Sequence, residues 1–181
     1  LALPEGLKDA SGAAMDVEHS RIVHDLLAAS GRTLVTAESC TGGLIAKSLT
    51  DHAGSSRYFL GSVVAYSNEV MEKMLGVPRE LLDRHGAVSR EVCEAMARGA
   101  LDRFGADLAL AVTGIAGPEG GTAEKPAGLV HLGLASRDRG SSEVSVVVER
   151  HVFAGKREMV RYAAGVRGME MVRRAIQGPS R

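Results

Sequence analysis

The stretch that decides the fold is Thr33-Leu-Val-Thr-Ala-Glu-Ser-Cys-Thr-Gly-Gly-Leu44. Its first four residues are apolar or β-branched and predict a strand over 33–36. The two glycines then lead into a predicted helix from Leu44 to Asp51. Ser39 lies between the two elements, where it is either a helix N-cap or a nucleophile, because serine favours the N-cap regardless of chemistry. Glycines at such a turn let the backbone approach a ligand closely, and the start of the helix offers free N–H groups.

Strands and helices alternate along the rest of the chain, as apolar runs and 3.6-residue periodicity indicate. The predicted strands are 33–36, 58–67, 107–113, 129–136 and 143–153, the last two as a hairpin across 137–142; the predicted helices are 22–31, 44–51, 68–75, 78–86, 89–104 and 156–176. This order predicts a single α/β domain over residues 15–177, with a mixed β-sheet covered by helices in a three-layer α/β/α arrangement. We expect residues 1–14 to be a flexible extension and 178–181 a tail.

Composition limits the classes of function. Lys plus Arg and Asp plus Glu number 22 each, so no net charge steers the chain towards nucleic acid. Aromatic residues make up only 3% of the chain, which leaves few platforms for base stacking, and direct nucleic-acid binding is not expected. No apolar run approaches the roughly 18 to 20 residues of a membrane span, and residues 1–14 lack a signal-peptide pattern. We therefore expect a cytoplasmic protein with no membrane partner.

The two cysteines, Cys40 and Cys93, form no CxxC motif and have no histidine at zinc-ligand spacing. We therefore expect no metal site and no cofactor. Cys40 follows Ser39 directly and is either a thiol nucleophile or a small packing residue. Packing is the favoured interpretation, because no histidine lies nearby in sequence to activate the thiol.

A second glycine-rich segment, 114–128, follows the apolar strand 107–113 and contains five glycines and two prolines. Ligands in α/β folds bind beyond the carboxyl ends of strands. Glycine-rich backbone together with Lys125 is chemically suited to hold an anion. The alternative is a long surface loop with Lys125 in solvent.

Tyr66 opens a third segment, Tyr66-Ser-Asn-Glu69, at the predicted end of strand 58–67. From there its hydroxyl is predicted to face the same crevice, where it would bind a nucleophile or help to move its proton. The alternative is a half-buried tyrosine whose hydroxyl contacts water.

Several separated motifs together resemble one family. They are Thr-Ala-Glu-Ser-Cys-Thr-Gly-Gly at 36–43, Ala-Gly-Ser-Ser at 53–56, Tyr-Ser-Asn-Glu at 66–69, Leu-Gly-Val at 75–77, His-Gly-Ala-Val-Ser at 85–89, Gly-Ile-Ala-Gly-Pro at 114–118 and Lys-Pro-Ala-Gly at 125–128. In this order they resemble the carboxy-terminal domain of the CinA competence/damage-inducible family, many members of which are nicotinamide mononucleotide deamidases. The resemblance is collinear from about Val17 to Ala175.

The resemblance implies a reaction, hydrolysis of nicotinamide mononucleotide to nicotinic acid mononucleotide and ammonia, and it implies a homodimer. It implies that Ser39 is the nucleophile, that Tyr66 assists it, and that backbone N–H groups near Thr41, Gly42 and Gly43 bind the oxyanion. The residues expected to hold the phosphate and ribose are Thr113, Gly114, Gly117, Gly121, Lys125 and Arg157 or Arg161.

One position departs from the family pattern. The family usually reads Tyr-Ser-Asn-Glu-Ala-Lys, with that lysine as the base partner of the serine, whereas this chain has Met71 there. Methionine cannot accept a proton from a hydroxyl, and losing one member of such a unit costs on the order of 10³ to 10⁶ in rate. Lys47, Lys73 and Lys125 are poor replacements by position. The alternatives to an active deamidase are an impaired homologue that still binds a pyridine nucleotide, and a partner in competence or DNA-damage responses.

Overall fold

The computed structural model describes residues 17–138 and 140–178. Its elements are α1 (Val17–Ser30), β1 (Leu34–Glu38), α2 (Leu44–Thr50), a 3₁₀ turn (Ser55–Arg57), β2 (Phe59–Val64), α3 (Asn68–Leu75), α4 (Arg79–His85), α5 (Arg90–Phe104), β3 (Leu108–Gly114), β4 (Leu129–Arg137), β5 (Val144–Val152) and α6 (Arg157–Gln177). The expected extension 1–14 and residues 179–181 of the expected tail lie outside the described residues. No described helix is both long and apolar enough to cross a membrane.

The five strands form one mixed sheet, as the sequence predicted, and their spatial order is β2-β1-β3-β4-β5. β1 runs parallel to both β2 and β3, whereas β4 is antiparallel to β3 and to β5, with which it forms the predicted hairpin. The carboxyl ends of β1, β2 and β3 therefore meet at one edge of the sheet. Ser39, Tyr66 and the glycine-rich loop all follow these three strand ends.

Helices cover both faces of the sheet and confirm the three-layer arrangement. One face packs against α1, α2 and α6 and carries the large side chains Leu34, Leu108 and Leu110. The other face packs against α3, α4 and α5 and carries small residues such as Ala109 and Ala111. This alternation follows from the two-residue period of a strand.

Two strand ends differ from the sequence prediction. β1 runs through Glu38, although a charged residue argues against a buried strand at this position. The strand includes Glu38 because its carboxylate, although buried, is fully hydrogen-bonded. β2 ends at Val64, so the prediction that Tyr66 ends a strand is wrong. The chain leaves the sheet there because Ser67 begins α3 as its N-cap and accepts a hydrogen bond from the Val70 N–H.

Candidate functional site

Ser39 lies in the first position after β1, at the carboxyl edge of the sheet. Its N–H donates to the Val112 carbonyl (2.9 Å), so the pairing of β1 with β3 continues to this residue. Val35 and Ala37 belong to the apolar cluster beneath α3 and α5, and the alternation along the strand places the Ser39 side chain on that same face. The serine is half-buried, and its hydroxyl has no hydrogen-bond partner among the described residues.

The carboxylate of Glu38 organises the turn that follows. It is 0% exposed and accepts hydrogen bonds from the N–H groups of Gly43 (3.0 Å), Ile45 (3.1 Å) and Ala46 (2.8 Å). Charge-assisted bonds of this kind are stronger than bonds between neutral groups. The Glu38 carboxylate thus binds the N–H groups at the N-terminus of α2 from the buried side of the helix. Sequence reasoning missed this role, although an acidic residue just before a helix start is a usable signal.

The oxyanion donors expected at this turn need correction. The Gly42 N–H donates to the Ser39 carbonyl (3.0 Å) and the Gly43 N–H to Glu38, so neither faces a ligand. Both glycines are needed instead for their backbone angles, with φ of 61° and 90°. The N–H groups of Cys40 and Thr41 form no hydrogen bond within residues 17–138 and 140–178, which leaves them as unpaired donors beside Ser39, on residues that are 4% and 0% exposed.

Two arginines at the start of α6 connect the segments that the sequence singled out. Arg161 donates to the carbonyls of Cys40 (Nε, 3.1 Å) and Thr41 (Nη2, 2.6 Å). One turn earlier, Arg157 donates to the Gly117 carbonyl (3.2 Å) and to the Tyr66 hydroxyl (2.7 Å). The structure therefore brings together the Ser39 turn, the glycine-rich loop and Tyr66, which is itself 63% exposed.

A cleft of about 600 Å³ opens between the glycine-rich loop and the start of α6. Its lining includes Ala116, Gly117, Pro118, Gly155, Lys156 and Arg157. Glu158 also lines the cleft, but the two cations Lys156 and Arg157 and the N-terminus of α6 leave it with a net positive character that suits an anionic ligand group. Lys156 was not among the predicted site residues.

The other predicted ligand-binding residues serve the structure of the loop. Lys125 donates its Nζ to the His85 carbonyl (2.6 Å), and Thr113 donates its Oγ1 to the Ala87 carbonyl (2.8 Å), so both hold the 85–87 segment. Gly114 and Gly121 permit close backbone approach, because an added Cβ would lie 2.7 and 2.6 Å from backbone atoms. None of these four lines the cleft beside Arg157.

The position of the family lysine is buried. Met71 is 1% exposed and belongs to the apolar cluster that also contains Leu75 and Val92. Lys47 and Lys73, weighed above as replacements, form exposed ion pairs on their own helices with Asp51 and Glu69, each at 2.6 Å. Ser39 therefore has no basic partner among the described residues.

The Cys40 thiol is not a competing nucleophile. It is buried, and burial raises its pKa to about 12, so the reactive thiolate is absent near neutral pH. This supports the packing interpretation of Cys40.

His131 is a further residue near the site that sequence reasoning missed. It pairs with Thr113 across β3 and β4. Thr113 follows Val112, which pairs with Glu38 across β1 and β3, so the same register continued by one residue would place Ser39, Thr113 and His131 in a row. His131 is 7% exposed, and its Nδ1 has no hydrogen-bond partner in the described part of the chain. Burial, then the charges of Arg150 and Lys125, lower its pKa and keep the ring neutral. A histidine within an otherwise apolar strand is the sequence signal that could have identified His131.

Comparisons with known proteins identify a family for the chain. A model of the CinA C-terminal domain matches residues 16–176. CinA-like proteins of Geobacter sulfurreducens and Geotalea daltonii are 49% and 51% identical over 172 and 155 residues, which cover 95% and 86% of this chain. The crystal structure of competence/damage inducible protein CihA from Agrobacterium tumefaciens matches with a TM-score of 0.84 and 42% identity, over 91% of this chain and 97% of that one.

The matched region is only part of the curated relatives. It spans 40% of the Geobacter protein and 36% of the Geotalea protein. By the extent of the family match and the identity to these relatives, the chain belongs to the family of the CinA C-terminal domain.

Proposed function

We propose that this domain is an amidohydrolase of the nicotinamide mononucleotide deamidase type, with Ser39 as nucleophile. The observation that carries the proposal is the pair of free N–H groups, of Cys40 and Thr41, next to an unpaired serine hydroxyl at the carboxyl edge of the sheet. Attack on an amide creates an oxyanion, and backbone N–H donors fixed in advance are the groups that stabilise it. Glu38 and Arg161 bind the turn from both sides, through the Gly43 N–H and the Cys40 carbonyl, and these bonds restrain the Cys40 and Thr41 amides.

The proposed reaction proceeds in two steps. The Ser39 oxygen forms a bond to the amide carbon, the carbon–nitrogen bond breaks, and ammonia leaves with the serine proton. Water then attacks the resulting ester; one of its protons restores the Ser39 hydroxyl, and the acid that is released loses the other to solvent as it becomes the carboxylate. The cleft beside Lys156 and Arg157 would hold the phosphate of the nucleotide.

A second function, nucleotide binding without significant turnover, is favoured by one specific observation. Met71 replaces the family base and is buried in an apolar cluster, and no other described basic group binds Ser39. A serine without a base retains the donors and the binding cleft but reacts slowly, with a loss on the order of 10³ to 10⁶ in rate.

Two measurements separate these functions. Ammonia release from nicotinamide mononucleotide is followed for the native chain and for Ser39→Ala, and binding of the same nucleotide is measured by calorimetry. Turnover that Ser39→Ala abolishes supports the amidohydrolase. Binding without turnover supports the second function, and the absence of both contradicts the two proposals together.

A further inference from the structure

The guanidinium of Arg161 has a role that differs from the phosphate and ribose binding expected from sequence. Both of its donor contacts go to backbone carbonyls of the Ser39 turn, to Cys40 at 3.1 Å and to Thr41 at 2.6 Å. Arg161 does not line the cleft that Arg157 and Lys156 form. Its position thus suits control of the turn better than contact with a phosphate.

Because the peptide group is planar, the direction of a bound carbonyl also fixes the direction of the N–H group on the same peptide. In a trans peptide the C=O and N–H vectors point in opposite directions. Among the described residues the only cis bond is Gly117–Pro118, so the Cys40–Thr41 peptide is trans. Because its carbonyl points at Arg161, its Thr41 N–H points away from α6. If the alternation of β1 continues for one more residue, the Ser39 side chain also lies on the face opposite α6, which carries Ala37 and Val35.

We propose that Arg161 is a positioning residue, which aims and polarises the Thr41 N–H as the oxyanion donor for Ser39. A cation bound to a carbonyl draws electrons through the peptide bond and makes the N–H on the same peptide a stronger donor. The next peptide is held in the same way, since Arg161 binds the Thr41 carbonyl while the Gly42 N–H closes the turn on the Ser39 carbonyl. This inference rests on the amidohydrolase function proposed above.

The conformation of Gly42 fits this arrangement. Its φ of 61° lies in the left-handed region, and a Cβ added there would meet Arg161 Nη2 at 3.4 Å. Glycine is therefore needed here for the backbone angle, which brings two successive carbonyls within reach of the guanidinium, and a Cβ would only come into ordinary contact with it.

The test separates positioning from ligand binding by the kinetic parameter that changes. Arg161→Met removes the guanidinium, Arg161→Lys keeps one charge that reaches a single carbonyl, and Arg173→Met is the control, because Arg173 pairs with Glu170 on the same helix away from the site. We expect Arg161→Met to lower kcat about 10²-fold with KM changed less than about twofold, as for loss of one oxyanion donor. Arg161→Lys should fall between, and Arg173→Met should match the native chain.

The opposite pattern overturns the inference. A rise in KM at constant kcat assigns Arg161 to the ligand, and unchanged kinetics removes any role for it. Thermal unfolding of each variant verifies that the compared proteins are folded.

A second readout keeps the inference testable if the native chain has no deamidase activity. In ¹⁵N-labelled protein, we expect the Thr41 amide nitrogen to shift upfield in Arg161→Met and to keep its position in Arg173→Met. An inactive native chain in which this shift occurs contradicts the amidohydrolase and retains the positioning role. A Thr41 resonance that does not respond to Arg161→Met overturns the positioning role, whatever the activity.

Discussion

Replacing Met71 by lysine restores the family base at a position that this fold buries. Met71 is 1% exposed, and lysine has an unbranched stem of similar length, so the amine would remain beneath α3 and α5. Burial lowers the pKa of an amine, by about 3 to 5 units when it is complete. A neutral lysine can accept the Ser39 proton, and we expect Met71→Lys to raise deamidase turnover at least about 10³-fold, the lower bound for completing such a unit.

Met71→Lys is also expected to lower the unfolding free energy of the protein. A lowering by 3 to 5 units corresponds to about 4 to 5 kcal/mol of unfolding free energy at pH 7, because the amine is already neutral in the folded chain once its pKa falls below 7. Because the folded pKa is below the unfolded value, the unfolded chain binds more protons, and stability rises with pH until about 10.4. Between pH 7 and pH 9 the variant should therefore recover up to about 3 kcal/mol relative to the native chain.

The assay combines ammonia release with urea unfolding at both pH values. Met74→Lys is the matched control, because Met74 lies on the same helix and is 52% exposed. We expect it to leave turnover and the pH dependence of stability unchanged. A folded Met71→Lys protein with no gain in turnover would refute the reasoning, as would turnover that survives in the Ser39→Ala, Met71→Lys double variant.

Three further predictions test other parts of the structure. Burial raises the pKa of Cys40 to about 12 and also raises that of Cys93, so iodoacetamide at pH 8 should label neither thiol until urea unfolds the protein. For Glu149, burial acts to raise the pKa, but hydrogen bonds from one histidine and two arginines lower it to about 2. Its carboxylate should stabilise the fold above about pH 4.5, with the effect lost as pH falls towards 2. Solvent screens these pairs, because Arg167 and Arg174 are 37% and 46% exposed, so Glu149→Gln should reduce the unfolding free energy by about 1 to 2 kcal/mol at pH 7 and by little at pH 2. Equal losses at both pH values would contradict the assignment. Gly99→Ala places a Cβ 1.7 Å from the Leu75 carbonyl oxygen. Calorimetry should therefore show a loss of about 3 kcal/mol or more in unfolding free energy. An unchanged melting temperature would exclude this close packing.

Local pattern was sufficient for most of the fold. The apolar strand 107–113, the N-cap Ser89 and the glycines that end helices all act through neighbours in sequence, so the order of elements and the layered α/β class were predictable. The ends of β1 and β2 were not predictable in this way. For β1 the reason is that Glu38 joins the strand only when α2 supplies N–H groups to its carboxylate.

The sequence by itself determined that Ser39 lies in a turn between a strand and a helix, and its motifs predicted which segments gather at that edge of the sheet. Only the tertiary structure decided which groups at the turn are free. Glu38 removes the Gly43 N–H, and Arg161, 120 residues away from Thr41 in the chain, sets the direction of the Thr41 N–H. The same packing buries Met71. These contacts depend on distances between elements remote in sequence, which no local pattern encodes.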